Sequence, residues 1–143
     1  MIRKILLLSV FGIAILASSF LGVTNKAQAA GYYCSTSSDT CVDVKMTYGK
    51  AQYWSTPRIY FKKGQHFKYD FETSVNSLFH VGIAVFRVSD GAQITTPFIY
   101  AVGKGGDIFG EGDAPTSDYY YMMATCKGGD DTRCEGGGLL TKF

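Results

Sequence analysis

The sequence has only three prolines, two histidines and one tryptophan, and no acidic residue before Asp39. Each scarcity excludes something. Few prolines, with 46% hydrophobic and 15% aromatic residues, exclude a disordered or proline-rich chain. The two histidines, His66 and His80, form no H-E-x-x-H spacing. The chain also lacks a G-x-S-x-G elbow, a phosphate-binding P-loop and a C-x-x-C pair. A net charge of +2 is too small to point to nucleic acid or an anionic membrane. The expectation is a non-enzyme with no catalytic residues, no cofactor, no metal centre and no nucleic-acid partner.

No charge falls between Ile5 and Val23, which follow Arg3 and Lys4. Ala27-Gln28-Ala29 then places small residues at an export cleavage site. Residues 1–29 therefore read as a helical, cleavable signal peptide, and 30–143 as one secreted, extracellular domain. Nineteen uncharged residues could also serve as a retained anchor. The interspersed Ser and Gly and the A-x-A site favour cleavage, so no stable membrane anchor is expected afterwards. Residues 1–29 carry three basic and no acidic groups, which leaves 11 basic against 12 acidic, a net −1.

All four cysteines, Cys34, Cys41, Cys126 and Cys134, lie beyond the signal. An even count in an exported chain reads as two disulfides. Three pairings are possible. Short loops close most readily, so 34–41 with 126–134 is the favoured choice. Each such loop is worth roughly 2.5 kcal/mol. Zinc would need closer ligand spacing.

Beyond the signal the dominant period is two. Val42, Val44, Met46 and Tyr48 alternate with Asp43, Lys45 and Thr47. Ile59 and Phe61 alternate with Arg58, Tyr60 and Lys62, before a Lys63-Gly64 turn. Phe67, Tyr69 and Phe71 alternate with His66, Lys68, Asp70 and Glu72. Residues 78–88 are apolar on both faces and read as a covered central strand. Asp90-Gly91 marks a hairpin whose return, 92–102, is interrupted at Pro97. Residues 103–117, with five glycines, read as a long loop. A tyrosine-rich strand over 118–126 and a short one over 139–143 complete the set. Seven or eight strands without intervening helices predict an all-β, antiparallel two-sheet sandwich, jelly-roll-like or immunoglobulin-like. A closed barrel is the alternative.

Among titratable residues, His66 reads as solvated and His80 as a hydrogen-bonded core histidine. Asp70 and Glu72 share a strand face roughly 7 Å apart by strand rise. That is a spacing inverting glycosidases use, but Lys68 and His66 beside them favour a plain solvated face. Asp107, Glu111, Asp113 and Asp118 surround the glycine-rich stretch and raise calcium as a hypothesis without matching a calcium motif. Charge is uneven: residues 30–104 carry +3 and residues 105–143 carry −4.

Aromatics are the stronger lead. Tyr32, Tyr33, Tyr53, Trp54 and Tyr60 fall at strand ends or on wet faces, while Phe67, Tyr69, Phe71, Phe79 and Phe86 read as core. Tyr53, Trp54 and Tyr60 are the candidate ligand-binding residues, because aromatic rings bring large contact area at low entropy cost. A Lys-Gly-Gln turn before an alternating strand, a later Asp-Gly hairpin and a tyrosine-rich late strand together resemble small extracellular jelly-roll modules. Those include carbohydrate-binding modules and domains attached to secreted peptidases. The resemblance spans residues 57–126 and implies the fold alone. The expected function is a non-catalytic binding or interaction module for an extracellular or envelope glycan or a protein partner. The alternative is a secreted toxin or antimicrobial protein.

Overall fold

The computed structural model describes Cys34 and residues 39–143; the expected signal segment, Tyr32 and Tyr33 lie outside the described residues. Nine strands follow in order: β1 (Cys41–Met46), β2 (Gln52–Trp54), β3 (Ile59–Phe61), β4 (His66–Thr73), β5 (Val81–Arg87), β6 (Ile99–Ala101), β7 (Asp107–Asp113), β8 (Asp118–Cys126) and β9 (Gly136–Lys142). They build two antiparallel sheets. One has the order β1-β9-β4-β7; in the other β8 lies between β5-β6 and an edge shared by β2 and β3. β2 and β3 pair with successive parts of β8, so they are two halves of one edge. Buried Ser55 bridges them, its amide and its hydroxyl both bonding Met122.

The expected alternation sets the core. Val42, Val44, Met46, Ile59, Phe61, Phe67, Tyr69 and Phe71 are all buried. They are joined by Val81, Ile83 and Val85 of β5 and Tyr120 and Met122 of β8, which with Ile59 and Phe61 face the β1-β9-β4-β7 sheet. Among the described residues no buried side-chain nitrogen or oxygen lacks a hydrogen-bond partner; the Tyr120 hydroxyl, for one, donates to the Thr116 carbonyl at 2.7 Å. Gly64 turns the chain at φ +76°, and Gly91 closes the Asp90-Gly91 hairpin at φ +68°.

Both disulfides take the local pairing, Cys34–Cys41 and Cys126–Cys134, each with Cα atoms 5.5 Å apart. The second ties the end of β8 to the segment entering β9.

Three strands lie differently from the sequence expectation. The glycine-rich stretch contains an edge strand, β7. Its inward positions are Ile108, Gly110 and Gly112, so glycine stands where a side chain would have revealed the period. Tyr69 and Phe67 fill that space: a Cβ on Gly110 would lie 2.5 Å from the Tyr69 ring. The turn into β7 is pinned by buried Thr73, whose hydroxyl accepts the amides of Gly105 and Gly106 and donates to the Val102 carbonyl. The central strand β5 starts at Val81, leaving Leu78 and His80 exposed outside it. His80 is therefore no core histidine; its ring meets Tyr100 edge-on at 5.3 Å. The last strand begins at Gly136, again because glycines opposite large rings hide the pattern.

Candidate functional site

Directly paired residues in antiparallel strands share a face, so register maps the outer surface of the β2/β3–β8–β5–β6 sheet. Tyr60 opposes Tyr119. Two residues along β8, Tyr121 opposes Phe86, their rings stacked at 5.5 Å. Next, Trp54 opposes Met123, which opposes Ala84. Last comes Gln52, Thr125, Gly82 and Tyr100, with the Tyr100 ring lying over Gly82. From Tyr119 to Thr125 this surface runs roughly 20 Å at ordinary strand rise.

Four rings on it face solvent: Trp54 at 49%, Tyr60 at 41%, Tyr100 at 50% and Tyr119 at 53% exposure. The Arg58 guanidinium lies 4.1 Å from the centre of the Tyr121 ring and donates to the Ser55 carbonyl. The Tyr60 and Tyr119 hydroxyls have no hydrogen-bond partner among the described residues.

Tyr53, Trp54 and Tyr60 do not form one patch. Adjacent strand residues point to opposite faces. Tyr53 is half-buried and packs against the core, its hydroxyl donating to the Thr47 carbonyl at 2.7 Å. Trp54 and Tyr60 share the outer face with Tyr119, Tyr121, Phe86 and Tyr100. Sequence reasoning passed over Tyr119, Tyr121 and Tyr100 and expected Phe86 in the core, whereas its pairing with Tyr121 turns it outward; the alternation of Tyr119 and Tyr121 with Tyr120 and Met122 carried the signal for two of them.

At the Tyr60 end a groove of about 340 Å³ opens between the β1–β9 and β3–β8 edges. Val42 and Ile59 lie at its apolar base; Asp39, Pro57, Arg58, Tyr60, Tyr119 and Lys142 complete its lining. A second groove of about 290 Å³ lies by β7, lined by Phe67, Tyr69, Ile94, Ile99 and the Glu111–Asp113 segment of β7.

The outer face of the other sheet is acidic. Asp43, Asp70, Glu72, Asp107, Glu111 and Asp113 lie outward there with Lys45 and Lys68. His66 sits between Asp113, 2.9 Å from Nδ1, and Glu111, 3.5 Å from Nε2. The Asp113 hydrogen bond, aided by both carboxylate charges, raises its pKa above the ordinary histidine value. Burial raises the Asp70 pKa, opposed by the Leu139 amide that it accepts at 3.1 Å. Among the described residues no three His, Cys, Asp or Glu side chains converge as a metal site. No described helix is long and apolar enough to cross a membrane. No protein-family model matches the sequence, and no curated protein shows significant similarity to it.

Proposed function

We propose that the protein is a secreted, non-catalytic jelly-roll module that binds an extracellular or envelope glycan on the outer face of the β2/β3–β8–β5–β6 sheet. The strand order supports the jelly-roll form of the sandwich. In the immunoglobulin arrangement the first two strands belong to one sheet, whereas β1 and β2 lie in different ones. Two disulfides are compatible with an extracellular location.

One observation carries the reading: Trp54, Tyr60, Tyr100 and Tyr119 stand half-exposed on a single sheet face. Rings spread over a rigid sheet offer flat apolar surfaces with polar tips, the arrangement that stacks on sugar rings. A protein partner is the second occupant such a surface suits, since tyrosine and tryptophan also anchor interfaces.

A glycan array and a pull-down from extracellular material test this, using the wild-type protein and Trp54→Ala. Glycan signals that fall with Trp54→Ala are expected. A blank array beside a Trp54-dependent protein catch would move the function to a protein partner. Blank results in both, or signals indifferent to Trp54→Ala, would overturn the proposal.

A further inference from the structure

We propose that the groove between β3 and β9 is a subsite for a sugar unit bearing a carboxylate, so that the preferred ligand is an acidic saccharide. This rests on the glycan reading of the adjoining face and names the ligand class. The groove's volume, about 340 Å³, lies in the range of small-ligand sites.

Its polar groups are chemically mixed, and no ion pair holds them among the described residues. Arg58 and Lys142 contribute two cations, and neither has a carboxylate partner among the described residues. Asp39 contributes one carboxylate, which leaves one positive charge in excess. A single carboxylate balances that excess, whereas a phosphate monoester dianion overshoots it; a phosphodiester matches it in charge but is tetrahedral rather than planar. The planar Arg58 guanidinium suits a carboxylate's two oxygens. Its position over Tyr121 and its bond to the Ser55 carbonyl hold it in place. Asp39 is left to accept from sugar hydroxyls. Tyr60 and Tyr119 belong to both the groove and the aromatic face, so a chain stacked on the face enters the groove at its end.

The test is calorimetric titration of the intact disulfide-bonded protein with three probes: an oligogalacturonide, a neutral galacto-oligosaccharide of equal length, and poly(glycerol phosphate). The oligogalacturonide is expected to bind about tenfold more tightly than the neutral chain, with the advantage shrinking at high salt. Lys142→Gln should bring the acidic-to-neutral ratio toward one, and Arg58→Lys should lower it while conserving charge. Thermal unfolding checks that each variant is folded, and either variant alone suffices.

Equal affinity for acidic and neutral chains, or a ratio unmoved by both variants, overturns the subsite and leaves the aromatic face standing. Tighter binding of poly(glycerol phosphate) overturns the carboxylate assignment. Binding of none of the three overturns the subsite, while the glycan array decides separately for the face.

Discussion

The rings of Tyr60 and Tyr119 meet edge to face, with centroids 5.3 Å apart and planes at 66°. They are directly opposed residues of β3 and β8, so the sheet fixes where the pair stands. Such a pair contributes about 0.5–1.5 kcal/mol beyond area burial, and exposure puts this one at the lower end. A double-mutant cycle of Tyr60→Ala and Tyr119→Ala should give a coupling of that size in unfolding free energy. Each single variant should lose several-fold in saccharide affinity while staying folded.

Glycine at 138 is a packing requirement. A Cβ there would sit 2.1 Å from the Asp70 carbonyl oxygen and 2.9 Å from the Phe71 ring. Both neighbours are fixed, the first by β4–β9 pairing and the second by complete burial. Gly138→Ala should destabilise by about 1–3 kcal/mol or more through overpacking. Urea unfolding should show a lower midpoint at unchanged slope.

The Cys126–Cys134 bridge closes a short loop between β8 and β9 with both cysteines buried. The double variant Cys126→Ala/Cys134→Ala should cost about 2–3 kcal/mol. Peptide mapping without reductant should recover 34–41 and 126–134 cross-links only.

His66 makes the acidic face sensitive to pH. Its folded pKa is raised, chiefly by Asp113 and secondarily by Glu111; the Phe143 ring is its other neighbour. The stabilisation is therefore full below the unfolded value near 6.5 and is lost as pH rises through the folded value. His66 should titrate above 6.5 by NMR, and His66→Gln should remove this part of the pH dependence. Asp90 works with the opposite sign. Its bond to Arg87 lowers its pKa to about 2, so its contribution is present above 3.8 and lost as pH falls toward 2.

Much of the sandwich was legible because β1, β3 and β4 each alternate one apolar with one polar position. The local disulfides were legible from loop length alone. β7 was not, because Gly110 and Gly112 give their inward space to Tyr69 and Phe67, and that trade across strands leaves no trace in either segment. His80 was misplaced because an apolar run does not mark where a strand begins. The candidate site was half legible. Trp54 and Tyr60 stood out as aromatics in polar company. Their companions Tyr100, Tyr119 and Tyr121 come from distant segments, and only register places them beside one another.

Trp54 is the sole tryptophan, so intrinsic tryptophan fluorescence reports on the aromatic face alone. The most direct measurement follows that emission while the glycans selected by the array, acidic and neutral, are added. Binding on the aromatic face predicts a saturable change in intensity with a blue shift, as the half-exposed indole is covered. Emission unchanged by every glycan that binds would contradict it, because the ligand would then lie elsewhere on the molecule.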